Sequence, residues 1–183
     1  TPQVMTEFNA LTDTNSYLRL EKLLVKIFQV TKNIPDIKII VKMHPTLGPG
    51  NEFVKNLIYK LNSNVKILQL ESVLEVISSC DLMLNINTEL FPSTVLYEGL
   101  IMKKPVINLT MTDEKYDFEF VKDNAVLSIS NTDDLEASIK KILFDDNFSS
   151  KLIKNGQQHL QRYFTNHFSA SENLANILLN FAN

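Results

Sequence analysis

The sequence predicts an α/β fold, a Rossmann-like doubly wound parallel sheet with helices closing its C-terminal end. Short β-branched runs alternate with segments whose apolar residues recur at helical intervals. The strand candidates are apolar on both faces, as in Ile37-Lys38-Ile39-Ile40-Val41, which suits parallel strands covered by helices on either side. Beyond Thr132 only helical spacing remains, so those segments close the domain.

Thr1-Pro2-Gln3-Val4-Met5-Thr6 reads as the end of a strand. Leu20, Leu23, Leu24, Ile27 and Phe28 form one stripe of a helix that Ser16 would cap and Pro35 would end. A strand from Ile37 to Met43 stops at His44-Pro45, because proline cannot donate to a ladder. Thr46-Leu47-Gly48-Pro49-Gly50 is a glycine turn, and Phe53, Val54, Leu57, Ile58 and Leu61 make a second helix before the strand Val65 to Leu68. Ser72-Val73-Leu74-Glu75 has the spacing of a capping box and opens a short helix ending near Cys80. Next come the strand Leu82 to Ile86, a loop through Pro92, a helix from Ser93 to Met102 and the strand Val106 to Leu109. A polar loop, Thr110 to Asp117, and an aromatic packing cluster of Tyr116, Phe118 and Phe120 lead to the strand Ala125 to Ile129. Three helical stripes follow, around Leu135 and Ile139, Leu152 and Leu160, and Leu174 and Ile177.

Composition excludes several functions. The 183 residues, 44% apolar and 21% charged, suit one globular domain. With four Gly, at 48, 50, 99 and 156, neither a dinucleotide turn nor a P-loop can be written. A single Cys excludes a disulfide framework and a four-Cys zinc site, and no acidic or His cluster has metal-ligand spacing, so no intrinsic metal is expected. A net charge of −3 with dispersed Lys and Arg argues against a nucleic-acid partner. No apolar run exceeds five residues, far short of the ~20 that cross a bilayer. The abrupt start without Met leads us to expect a C-terminal fragment of a longer protein.

Doubly wound sheets bind ligands beyond the carboxyl ends of their strands, so the residues after Met43, Leu68, Ile86 and Leu109 are the candidates. Lys42 and His44 are two apart and offer two donors to an anion on one side of an extended strand. Ser93-Thr94 open a helix, where amides and the helix dipole favour phosphate, and Glu98 lies four residues after Thr94 on the same side. A carboxylate there can accept both hydroxyls of a ribose. A solvated Lys, a turn His and an ordinary cap remain the competing readings of these residues.

K-x-H-P at Lys42 to Pro45, then Asp81 before a strand, then S-T-x-x-x-E-G at Ser93 to Gly99, then K-P-V-I at Lys104 to Ile107, resembles the C-terminal nucleotide-sugar-binding domain of GT-B glycosyltransferases. The likeness is to members with a His-Pro and Ser-Thr motif pair: sialyl-, polysialyl- and Kdo-transferases and glycerophosphotransferases. It spans nearly the whole chain, and the order of its short motifs carries it. The resemblance implies that His44 contacts the leaving phosphate, Ser93 and Thr94 hold phosphate oxygens, Glu98 binds ribose and Lys42 is a second phosphate ligand. The base would lie against backbone near Gln69-Leu70-Glu71. The resemblance further implies a CMP- or UDP-linked sugar donor and a glycan or lipid-linked acceptor. It places the general base on an N-terminal domain that this chain lacks, and the protein in the cytoplasm, where it can meet the inner face of the cell membrane. Glu89 lies nine positions before Glu98, one too many for the E-x7-E spacing of many retaining enzymes, and receives no role.

Two other readings stay open: a sugar-nucleotide 2-epimerase of the same fold, and a non-catalytic nucleotide-binding domain. The polar loop at Thr112 to Lys115 is a candidate for the donor sugar. Cys80 is expected to be a small core thiol, His159 and His167 surface residues, and Asp81 a turn residue at the far end of its strand.

Overall fold

The computed structural model describes residues 3–4, 14–45, 49–87, 93–110, 118–130, 134–164 and 169–181. The elements are β1 (Gln3–Val4), α1 (Thr14–Lys32), β2 (Ile40–Met43), α2 (Pro49–Leu61), β3 (Lys66–Leu68), α3 (Val73–Ser78) and β4 (Met83–Asn87). They continue with α4 (Thr94–Ile101), β5 (Val106–Thr110), α5 (Glu119–Lys122), β6 (Leu127–Ile129), α6 (Leu135–Phe144), α7 (Asp146–Tyr163) and α8 (Ala170–Phe181). All strands pair in parallel in the order β3-β2-β1-β4-β5-β6. This is the Rossmann-like arrangement expected, and the order reverses between β1 and β4, where such sheets open a crevice.

Strand lengths are set by the neighbours available. β2 begins at Ile40 rather than Ile37 because Lys66, the first residue of β3, pairs with Ile40. Before it, Asp36 turns the chain with φ 60°. The last strand starts at Leu127, opposite Ile107, instead of at Ala125. α1 starts at Thr14, so Ser16 lies inside the helix instead of capping it. Ser72 does stand at the N-cap of α3, but its side chain makes no capping bond, so the predicted box does not form. The four-residue α5 was not expected from the sequence.

Alternate residues of the central strands enter two cores. Val41, Met43, Leu84, Ile86, Ile107 and Leu109 pack with α1, α2 and α6. Burying each such side chain contributes about 1.5–3 kcal/mol, which makes this face the main source of stability. On the other face Met83 and Val106 meet Leu96 and Leu100 of α4, with Phe120 and Ala125 beside them. α4 sits close because Gly99 has no side chain: a Cβ there would stand 2.6 Å from Met83 Sδ and 3.0 Å from Val106 Cγ2. Gly156 of α7 lets that helix approach α4 in turn, since its Cβ would stand 2.9 Å from Leu100 Cδ2.

Two expectations about single residues are corrected. Cys80 is half-buried, with its thiol donating to the Val76 carbonyl at 3.2 Å, and is not a core residue. His159 is 1% exposed. Its Nδ1 lies 2.6 Å from Asp123 Oδ2, and its ring stacks on Tyr97 of α4 at 6.1 Å. Asp123 also pairs with Arg162, so this cluster braces α7 against α4 and α5. His167 lies outside the described residues.

Candidate functional site

Ladder register places Leu68 beside Lys42, Met43 beside Val4, Val4 beside Ile86, and Asn87 beside Thr110. The carboxyl ends of β1 to β5 therefore share one edge, with β2 and β4 about 10 Å apart across β1 at ~4.8 Å per strand. Around this edge stand His44, Leu70, Ser93 and Thr94, each at the start of the segment that leaves a strand or enters a helix.

His44 is the first residue after β2 and is half-buried. Its carbonyl accepts a 3.2 Å hydrogen bond from Asn51 Nδ2. Asn51 sits in the first turn of α2 and is 4% exposed, so the backbone at His44 is tied to that helix. The turn residues Thr46 to Gly48 lie outside the described residues, as do Glu89 and the loop Thr112 to Lys115.

Lys42, expected as a second phosphate ligand, is engaged with backbone within the protein. It is buried, and its Nζ donates to the Met43 carbonyl at 2.8 Å and the Gln69 carbonyl at 2.7 Å. Burial pushes the ammonium below its ordinary pKa, while the carboxylates of Glu71 and Glu98 pull it back up. The same ion thus joins the end of β2 to the chain leaving β3.

That chain is held from a second side. The Gln69 amide donates to Glu71 Oε2 at 2.8 Å. Backbone N–H groups, first its own and then that of Gln69, hold the Glu71 carboxyl below its ordinary value, with Lys42 adding to the effect. In the segment expected to lie against a base, the Gln69 amide and carbonyl are both engaged within the protein. Leu70, between the two held residues, projects its side chain outward and is 76% exposed.

Ser93 is the N-cap of α4, with φ −64° and ψ 133°, and its side chain makes no capping bond. Thr94 begins the helix and is exposed. The first amides of any α-helix have no intrahelical acceptor, so this end carries partial positive charge. One turn on, Glu98 is half-buried, and its Oε2 is fully buried with no hydrogen-bond partner among the described residues. Burial raises its carboxyl above the ordinary 4.5, and Lys42 opposes that rise. A buried, unpaired carboxylate oxygen costs stability unless a donor satisfies it, and ligand hydroxyls are suitable donors.

Beneath α4 the sheet is polar where parallel strands are usually apolar. Register sets Lys42, Asn85, Asn108 and Ser128 in one transverse row through β1. Asn85 Nδ2 donates to Asn108 Oδ1 at 2.8 Å, and both residues are at most 1% exposed. Asn85 Oδ1 and Asn108 Nδ2 have no partner among the described residues. Asn51, Asn85 and Asn108 did not stand out in the sequence, nor did the Glu71 carboxylate as a partner of Gln69. The available signal was Asn inside two apolar strand runs, against strand propensity.

A cavity of about 680 Å³ opens at the opposite edge, between the starts of β2 and β4, and is lined by residues such as Ile37, Ile40, Cys80, Leu82 and Leu143. It lies at the amino ends of the strands, away from Lys42, His44 and Glu98. No group of His, Cys, Asp or Glu among the described residues could hold a metal. No described helix is long and apolar enough to cross a membrane.

No family model matches the chain, and no curated protein does. Solved structures do. WaaG, a glycosyltransferase involved in lipopolysaccharide biosynthesis, is similar over 96% of this chain and 45% of its own, with 18% identity and a TM-score of 0.62. Anabaena Alr3699/HepE in complex with UDP and glucose matches over 96% and 53%, with 16% identity and a TM-score of 0.63. A putative UDP-N-acetylglucosamine 2-epimerase from Listeria monocytogenes matches over 91% and 44%, with 12% identity and a TM-score of 0.58. The chain spans about half the length of these proteins. The likeness is one of fold: the chain has the Rossmann-like architecture found as one half of GT-B enzymes.

Proposed function

We propose that the chain is the donor-binding domain of a glycosyltransferase that uses a nucleotide-activated sugar to build a cell-envelope or surface glycan. Glu98 carries the reading. Its buried oxygen, with no partner among the described residues, lies one turn inside α4, on the edge where Ser93, Thr94 and His44 gather. A ribose between Glu98 and the helix end would give that oxygen its donors and set the attached phosphates at the amides of α4. The fold shared with HepE, a structure containing UDP and glucose, supports a UDP-linked donor ahead of a CMP-linked one.

In sugar transfer the leaving nucleotide phosphate gains negative charge, and fixed donors lower the barrier by meeting that charge where it develops. His44, the Ser93 and Thr94 hydroxyls and the α4 amides supply those donors. A general base for the acceptor hydroxyl is not among the residues gathered here. It would come from the rest of a two-domain protein, so this chain alone would bind donor without turnover. The acceptor is a glycan or lipid-linked sugar, met at the inner face of the membrane.

Calorimetry with UDP and CMP tests the reading. UDP binding is expected, and His44→Ala and Glu98→Ala are each expected to weaken it at least ~10-fold, the size of a lost hydrogen bond to a charged group. Wild-type affinity in both variants would sink the site. The 2-epimerase reading, favoured by the likeness to the Listeria protein, makes the same binding prediction. Incubating the full-length protein with UDP-N-acetylglucosamine separates the two, since an epimerase inverts C2 without an acceptor.

A further inference from the structure

Lys42 has the charge of a phosphate ligand and the surroundings of something else. Of the three N–H donors of an ammonium, two are spent on the Met43 and Gln69 carbonyls. The carboxylates of Glu71 and Glu98 both act on its charge, which weakens the field it presents to an anion. Its row in the sheet lies one residue short of the edge, level with Asn85, whereas His44 stands beyond the edge.

Its two acceptors belong to different strands. Met43 ends β2, and Gln69 follows β3. The Gln69 carbonyl is held by Lys42 and its amide by Glu71 Oε2, so both backbone groups of this residue are fixed within a single turn. The next residue, Leu70, is left projecting from that turn. An exposed apolar side chain carried on a backbone held from two sides is suited to the flat face of a base.

We propose that Lys42 is a positioning residue for the nucleoside end of the donor, clamping Gln69 so that Leu70 is presented to the base while its charge faces Glu98 at the ribose. The proposal rests on the nucleotide-binding reading above and gives Lys42 a task other than holding phosphate.

NMR titration of the full chain with uridine and with UDP tests it, using Lys42→Met and Lys42→Arg. Lys42→Met is expected to weaken both ligands by the same factor, about tenfold, leaving the ratio of the two affinities unchanged. In the ligand-free protein its amide shifts should change at Gln69, Leu70 and Glu71. Lys42→Arg, which keeps a charged donor, should recover part of the uridine affinity, a rescue that lost packing alone would not give. If Lys42→Met fails to fold, Glu71→Ala at its exposed position frees the Gln69 amide and should produce the same parallel loss. Loss of UDP affinity with uridine unchanged makes Lys42 a phosphate ligand and overturns the proposal. Wild-type uridine affinity in both Lys42→Met and Glu71→Ala overturns it as well. A wild-type chain that binds neither ligand overturns the nucleotide reading itself, and this inference with it.

Discussion

The two faces of the sheet are built from alternate residues of the same strands, yet they differ in kind. Under α1, α2 and α6 the strands present Val41, Met43, Leu84, Ile86, Ile107 and Leu109, an unbroken apolar layer. Under α4 the surface changes along the strands. It begins apolar at Met83 and Val106, becomes Asn85 and Asn108 in the middle row, with Lys42 level with them, and ends at Asn87 and Thr110. Polar groups thus accumulate toward the carboxyl edge on the side where Glu98 lies. The contrast teaches that one face secures the fold, while the other gives up burial energy to keep a polar floor beneath the site.

Mutation should break this contrast unequally. The largest effect is expected on the apolar face. Ile86 is 0% exposed, and Ile86→Ala should lower unfolding free energy by about 2–5 kcal/mol through lost transfer energy and a residual cavity. Urea denaturation measures it, and nucleotide affinity of the folded fraction should stay at the wild-type level. A loss below 1 kcal/mol would show that this face is not the tightly packed one.

The Asn85–Asn108 pair comes next. Asn108→Leu removes the acceptor of the Asn85 Nδ2 bond and strands a buried donor, at about 1–3 kcal/mol. Replacing both residues with Leu removes donor and acceptor together. The double variant should therefore be more stable than Asn108→Leu, giving a coupling of about 1–3 kcal/mol in a double-mutant cycle. Strict additivity would mean that the bond does not stabilise the sheet.

Gly99→Ala should be milder. The new Cβ would press on Met83 Sδ and Val106 Cγ2, and such overpacking costs about 1–3 kcal/mol. Ala is favoured over Gly in a helix by about 1 kcal/mol, and Met83 ends in a flexible chain that can yield. The net loss should be near 1 kcal/mol, with nucleotide affinity reduced because α4 lifts from the sheet and carries Glu98 with it. Stability lowered with affinity intact would separate the helix seat from the site.

The apolar face was readable in the sequence because its signal is local. Residues spaced at two and at 3.6 announce strands and amphipathic helices before any contact is known. The candidate site was readable in part, since His44-Pro45 and Ser93 to Gly99 are contiguous patterns at strand ends. What could not be read depends on distant partners. The Gln69 carbonyl is 27 positions from Lys42, and Asp123 is 36 positions from His159, so Lys42 read as a second phosphate ligand and His159 as a surface ring. The strand end expected at Thr1 to Thr6 does hold β1, but its place between β2 and β4 follows from pairing and not from any local pattern. Asn85 and Asn108 sat inside runs that were otherwise good buried strands, and only register shows that they meet.

The smallest effects are those of pH, and their signs separate the two kinds of carboxyl. Glu98 has a folded pKa raised above its ordinary 4.5, first by burial, so its ionisation is harder in the folded state than in the unfolded one. Below pH 4.5 both states are protonated and the penalty is absent; above the folded pKa it is fully present. Glu98→Gln should therefore raise Tm at pH 7 and lose that advantage as pH falls from the folded pKa to 4.5, while weakening nucleotide binding at pH 7. Asp123 has the opposite sign. The hydrogen bonds from His159 and Arg162 hold its carboxyl below the ordinary 3.8, so its contribution stabilises above 3.8 and vanishes as pH falls through the folded value. Asp123→Asn should lower Tm at pH 7, with the difference shrinking in acid. Thermal unfolding of the two variants across pH 3–7 measures both curves. If Glu98→Gln lowers Tm at pH 7, the carboxylate is stabilised by its surroundings, and a ligand is no longer needed to explain why it is held there.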